Sequence, residues 1–192
     1  MDYKEVLKFW FGDSNTGNMK LWFEKSEAVD KQIRDKFGAA LDDFNMVDYE
    51  SWKATDDGHL ALVILLDQFP RNAFRGTPKS FAFDAEALEV AKEALEKGLH
   101  DTLSPFQVMF LLLPFEHSED ITDQREGVRL FEDLHPRMAA IDKKTADETL
   151  DYAKRHMKII ERFGRFPHRN AILGRTSTFE ELEFLKTPGS SF

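Results

Sequence analysis

The sequence predicts a single all-α domain over residues 1–192, with about eight helices in consecutive antiparallel pairs. Three observations predict it. Apolar residues recur at helical spacing, capping residues and glycines or prolines bracket those stretches, and strand alternation and hairpin turn signals are missing. The linkers are short, and no segment is of low complexity.

"DYKEVLKFWFG" opens with Asp2 as cap and closes on Gly12. "SEAVDKQIRDKFGAALDDF" starts at Ser26, and Val29, Ile33, Phe37, Ala40, Leu41 and Phe44 form one apolar stripe. "DGHLALVILLDQF" lacks alternation and reads as a helix buried on most sides, ending at Pro70; pattern alone leaves a buried strand open. "SFAFDAEALEVAKEALEKG" carries its stripe on Ala87, Leu88, Ala91, Ala94 and Leu95 and stops at Gly98. "SPFQVMFLLLPF" begins with Ser104 as cap and Pro105 at the first helical position, and its apolar content makes it central. "SEDITDQREGVRLFEDL" runs from Ser118 to before Pro136, and the next helix from about Asp142 to Gly164. "TFEELEFLK" pairs Thr178 with Glu181 as a capping box.

A chain of 192 residues suits one domain and buries roughly two-thirds of its unfolded surface. Eighteen Phe supply bulky core material, and the absence of Cys excludes disulfides and thiolate chemistry. The N-terminus has no signal-peptide pattern, and the longest apolar run, Leu60 to Leu66, is far short of the ~18 residues that span a bilayer. The expectation is a soluble, cytoplasmic protein without membrane contact. The net charge of −9 argues against nucleic-acid binding. The charge is uneven, though. Between residues 153 and 175, Lys154, Arg155, Lys158, Arg162, Arg165, Arg169 and Arg175 face Glu161 alone, so this segment is +6 and the rest of the chain −15. Such a segment serves an anion or packs against acidic neighbours.

Three apolar stretches run into Pro and then into polar clusters: "LLDQFPRNAFRGTP" (65–78), "LLLPFEHSEDITDQ" (111–124) and "GRFPHRNAILGRT" (164–176). Proline interrupts a helix and disfavours helical geometry in the residue before it. Arg71, Asn72 and Arg75 are therefore expected in a loop past a helix C-terminus, as are the residues after Pro167. After Pro114 come Glu116, His117 and then Ser118, the expected cap of the next helix.

These clusters have two readings. In one, Arg71, Arg75, Arg169 and Arg175 pair with Asp67, Glu116 and Glu119 so that loop ends pack without unpaired charge. In the other, the three segments converge on one pocket. There Arg71, Arg75, Arg169 and Arg175 hold an anion, Asn72 and Asn170 orient it, and Glu116 with His117 or His168 does acid–base work, with Asp67 behind them. Metal binding by Glu116, His117, Glu119 and Asp120 is a weak signal, because adjacent residues rarely all point at one ion. No metal or cofactor is expected, and no HExxH, P-loop, GxSxG or dinucleotide fingerprint is present. His156 reads as a surface or boundary residue of its helix; Trp10, Trp22 and Trp52 read as core.

"VLKFWFG", "LALVILLDQFPRNAFRGTP", "FAFDAEAL", "LPFEHSED", "YAKRHMKIIERFGRFPHRNAILGR" and "STFEELEFL", with Trp22-Phe23, occur in this order over nearly the whole chain. Together they resemble a bacterial family catalogued as domain of unknown function 924. Members usually have Pro in a "STPEE" stretch where this chain has Phe179, a difference confined to a helix start. The resemblance implies an all-helical, tetratricopeptide-like fold of stacked helix pairs, and no activity. The sequence has no tetratricopeptide consensus at a fixed period. The leading expectation is a binding module whose Arg/Asn-lined cleft accepts a small anion or a peptide carboxylate. The alternatives are a hydrolase or lyase using Glu116, His117 and His168, and an ion-pair network with a purely structural or protein-interaction role. Nucleic-acid contact through residues 154–175 is a further, weaker one.

Overall fold

The computed structural model describes residues 1–12 and 18–191. All regular structure among them is helical. α1 (Tyr3–Phe11) begins where Asp2 accepts from the Lys4 N–H and ends at Gly12, whose φ of 71° suits glycine. It buries Val6, Trp10 and Phe11. The short α2 (Met19–Phe23) precedes α3 (Glu27–Asp42), which Ser26 caps through the Val29 N–H. Ile33, Phe37 and Leu41 are the buried part of the predicted stripe; Asp30 shares that face and is buried too. After α4 (Met46–Tyr49) and a 3₁₀ turn (Glu50–Ala54) comes α5 (Asp56–Val63), capped by Thr55.

Leu60 to Leu66 are 0% exposed, so this stretch is the centre of the core. It does not end at Pro70. The backbone widens into a π turn (Ile64–Gln68), where the Phe69 N–H reaches the Ile64 carbonyl, and continues as α6 (Phe69–Ala73). Proline lacks a donor, and its ring needs room beside the carbonyl four residues back; the wider turn supplies that room. Phe69 keeps helical angles of −64° and −38°. Asp67 and Gln68 therefore sit in the π turn and Arg71 and Asn72 on a helix; only Arg75 lies beyond it.

A 3₁₀ turn (Pro78–Phe81) takes the place of the predicted start of the next helix, and α7 (Asp84–Glu96) follows. Its buried face is Ala87, Leu88, Val90, Ala91 and Ala94, with Leu95 only half-buried. Gly98, at φ 76°, leads into α8 (Leu99–Thr102). α9 (Pro105–His117) opens with Gln107 accepting from the Ser104 N–H, and all but Pro105, Leu113 and His117 are buried. It runs through Pro114, so Glu116 and His117 form its last turn rather than a loop. α10 (Ile121–Ala139) is capped by Asp120, not Ser118, and passes through Pro136. Burial of long apolar faces outweighs the ~3 kcal/mol that an interior proline costs. α11 (Lys143–Phe163) runs from its Asp142 cap to Gly164, and α12 (Phe179–Phe184) has the Thr178–Glu181 capping box.

Pairing follows chain order in the C-terminal half, where α9 packs on α10 and α10 on α11. In the N-terminal half it does not: α1 packs on α5, α3 on α6, α5 on α7, and α7 on α9. One contiguous core runs from Val6 to Ala153, bound by ring contacts such as Phe37–Phe69 (4.5 Å) and Trp22–Phe110 (4.9 Å). α9 and α10 approach closely at Gly127, where an added Cβ would lie 2.9 Å from the Phe115 Cβ. Gly127→Ala is expected to destabilise the fold by about 1–3 kcal/mol through overpacking. An unchanged urea midpoint would mean that the two helices are not this close.

Candidate functional site

The π turn aims the Asp67 side chain inward, where it is fully buried. A buried carboxylate requires partners. Asp67 takes them from His117 Nδ1 (2.6 Å), from the Gln68 side-chain amide and from Arg71, whose Nη1 is 3.4 Å from Oδ1 and donates to the Asp67 carbonyl at 2.8 Å. Arg71 is in turn bidentate on Asp84 (2.8 and 3.0 Å) at the start of α7. The same carboxylate receives Arg169 Nη1 at 3.1 Å, from the 3₁₀ turn Pro167–Arg169. Arg169 Nη2 then donates to the His117 carbonyl at 3.0 Å. The two Phe-Pro segments thus meet on Asp84, and the chain of contacts closes on the end of α9.

Burial would raise Asp67, but Arg71 and His117 outweigh it and hold the carboxyl down at about 2. Asp67 is therefore ionised and can only accept, so the proton between the pair sits on His117 Nδ1 and Nε2 carries the lone pair. Burial and Arg71 keep His117 below its ordinary pKa despite Asp67, which leaves the ring neutral near pH 7. Glu116, the preceding residue, behaves oppositely. Burial, reinforced by Asp67 and only partly offset by Arg71, pushes it up to about 8. Its Oε1 lies 3.4 Å from His156 Nδ1, and its Oε2 is buried without a hydrogen-bond partner. At neutral pH Glu116 is a carboxylic acid, a donor. His156 is held well below its ordinary value by burial, and His168 is brought to about 4 by burial and Arg169.

A cleft of about 680 Å³ opens over this network. Its polar end is lined by Gln68, Arg71, Glu116, His117, His168 and Arg169, with His156 beside them. Its apolar wall includes Trp22, Phe23, Phe81, Met109, Leu113 and Ile172. Phe23 (57% exposed) and Tyr152 (45%) bring rings to its solvent side. The volume and mixed lining suit a small molecule.

Of the residues singled out in the sequence, Arg71, Asn72, Arg75, Glu116, His117, His168 and Arg169 all line the cleft, and Asp67 lies behind His117. Asn72 and Arg75, however, donate to Asp30 (2.9 Å, and 2.8 and 2.9 Å), which fastens α6 and the residues just past it to α3. Asn170 and Arg175 do not reach the cleft. Asn170 is fully buried and donates to Ser177 (3.0 Å) and Glu181 (3.3 Å), while Arg175 is bidentate on Glu119 at 2.6 and 2.9 Å. Glu119 and Asp120 are thus a salt-bridge partner and a helix cap, apart from Glu116 and His117. Among the described residues no group of three or more His, Asp or Glu is placed to hold a metal ion. The basic segment is largely matched inside the fold: Lys154 by Glu132, Arg162 by Glu180, Arg165 by Glu181, Arg169 by Asp84 and Arg175 by Glu119.

The structure adds Asp30, Asp84, Gln68, Trp22 and His156. His156 is a correction: it is buried, on the α11 face that also buries Ala153 and Ile160. A polar residue at a stripe position was the available signal for both His156 and Asp30. Trp10 and Trp52 are core, whereas Trp22 is half-buried and walls the cleft.

The family model described as "Bacterial protein of unknown function (DUF924)" matches residues 6–189. The chain belongs to this family. A solved structure of a protein of unknown function, ATU0120 from Agrobacterium tumefaciens, is 37% identical, with 96% of each chain covered and a TM-score of 0.83. No curated protein matches the chain. Among the described residues no helix is long and apolar enough to cross a membrane.

The raised Glu116 pKa makes a prediction for stability. A carboxyl whose folded pKa lies above its unfolded value contributes stability that is present in acid and lost as pH rises through the folded value, here about 8. The wild type should therefore lose stability relative to Glu116→Gln between about pH 5 and about pH 9. Paired melting curves test this; a pH-independent difference would show that Glu116 ionises normally.

Proposed function

We propose that the cleft binds a small molecule and carries out acid–base chemistry on it, with His117 as the base and Glu116 as the acid. The supporting observation is the juxtaposition at the end of α9. An imidazole has its Nδ1 fixed by a buried, ionised Asp67, and the preceding residue is a carboxylic acid kept protonated at neutral pH. Two titratable groups pushed apart by their surroundings are what simultaneous proton removal and delivery require. His117 Nε2 would take a proton from water or from the substrate as the new bond forms. Glu116 would give its proton to the departing oxygen or nitrogen. Exchange with solvent restores both groups, as in a hydrolase or a lyase.

Asp67 orients His117, and Asp84 holds Arg71 and Arg169 in place. Because Arg71, Asn72, Arg75 and Arg169 already donate to Asp84 and Asp30, leaving Arg169 Nε as the buried donor without a partner among them, the acid–base reading stands ahead of a module that only binds an anion or peptide. The stacked-helix, tetratricopeptide-like reading of the architecture suits either, since such folds present concave surfaces.

The test is a turnover screen over ester, amide and β-elimination substrates with a pH-indicator readout. Activity should rise as His117 loses its proton, below pH 6.5, and fall as Glu116 ionises near 8. His117→Asn and Glu116→Gln should each lower kcat by about a hundredfold or more while circular dichroism stays unchanged. Turnover that survives both substitutions removes the proposal.

A further inference from the structure

Two cleft-lining groups keep a polar atom that no protein group satisfies. Glu116 Oε2 and Arg169 Nε are both buried without a hydrogen-bond partner, on residues only 6% exposed. An unmet donor in such a place costs roughly 1–3 kcal/mol, and a ligand acceptor would recover it. Both are donors at neutral pH: Arg169 stays a cation, although burial brings it down to about 10, and Glu116 carries its proton. They are near one another in the chain of contacts, since Arg169 Nη2 holds the carbonyl of the residue after Glu116.

The rest of the cleft is set by helix periodicity. Met109, Leu113 and Glu116 follow one another at i, i+4 and i+7 on α9 and all line the cleft. On α11, Thr145, Thr149, Tyr152 and His156 do the same. The cleft is therefore a trough along two helices, with the acid at one end and thioether and aliphatic surface leading away from it. Seven residues at about 1.5 Å each make that path about 10 Å long. The charge balance limits what fits the polar end. The side chains of Asp67 and Asp84 are opposed by Arg71 and Arg169, so the network is neutral while Glu116 is protonated. One unsatisfied guanidinium N–H and one acid O–H suit a single negative charge rather than two.

We infer that the ligand of this cleft is a monocarboxylate with an apolar tail of up to about 10 Å, its carboxylate taken by Glu116 and Arg169 and its tail laid along Leu113 and Met109. A monocarboxylate is what ester or amide hydrolysis leaves at this end once Glu116 has regained its proton from solvent, so the inference names the product class of the acid–base site and rests on that reading for the chemistry, not for the binding.

Calorimetry with hexanoate, hexan-1-ol, hexylamine, hexyl phosphate and acetate tests it on the intact protein. Hexanoate should bind more tightly than every other member of the set. Each methylene beyond acetate should add up to roughly fourfold. Between pH 6.5 and 9, Asp67, His117, His156 and His168 lie below the window and Arg71 and Arg169 above it, so Glu116 is the group among them that changes charge. Hexanoate affinity should fall about tenfold or more across that range, because the ionised acid repels it. Glu116→Gln, which keeps a donor, should still bind hexanoate but lose the pH dependence.

Equal or tighter binding of hexanol, hexylamine or hexyl phosphate overturns the inference, as does the absence of hexanoate binding at millimolar concentration to the folded wild type. The two readings fail separately. His117-dependent turnover of another substrate class, without hexanoate binding, removes this inference alone. Hexanoate binding in a protein whose turnover ignores His117 removes the acid–base reading alone.

Discussion

Asp84 accepts from two guanidiniums that come from opposite halves of the chain, Arg71 after the first Phe-Pro and Arg169 after the second. Arg169 is almost fully buried, and a buried cation without a counter-charge is not sustainable in a low-dielectric interior. The architecture around the cleft answers that constraint. α5 must continue through Pro70 for Arg71 to reach back to Asp67 and across to Asp84. Gly164, at φ 67°, must stop α11 so that the chain can turn inward through Pro167 and set Arg169 beside the same carboxylate. Two carboxylates against two guanidiniums leave the network neutral, so an ionisable neighbour such as Glu116 feels its own burial more than any net field.

Helix starts and stops were legible because they are local. Asp2, Ser26 and Asp142 cap where their side chains reach an N–H two or three residues on, and Gly12, Gly98 and Gly164 take left-handed or related angles. The prolines misled for the same reason. A local rule makes Pro70, Pro114 and Pro136 breakers, yet all three lie inside helical segments. What overrides the rule is non-local: at Pro114 the helix is buried on nearly every side, and at Pro70 a π turn absorbs the missing donor. Reading Glu116 and His117 as loop residues followed directly from that error.

Asp84 carried no signal, since an acid in the first turn of a helix is favourable for the dipole alone. Its partners lie thirteen and eighty-five positions away. Asp30 and His156 were more readable, because each occupies a position in an otherwise apolar stripe, and a polar residue there requires a buried partner. Asn170 and Arg175 had the same composition as Asn72 and Arg71 but face Glu181, Ser177 and Glu119 instead. The Phe-Pro-Arg-Asn likeness of the two segments is therefore chemical, and it does not extend to equivalent places in the fold.

Glu116 adds a cost to the ion-pair network around Asp67 and Asp84. Apolar side chains of similar volume at such a position are often neutral or stabilising, whereas a carboxyl with an unmet oxygen is a cost. The helix end makes it worse, because the last turn of α9 carries the negative pole of its dipole and disfavours a second negative charge. Glu116 and His117 share that turn, and burial drives both to the neutral form, raising the carboxyl and lowering the imidazole. Asp67 favours the protonated form of both neighbours, accepting from His117 Nδ1 and repelling a charge on Glu116. Both groups stand on the wall of the cleft of about 680 Å³.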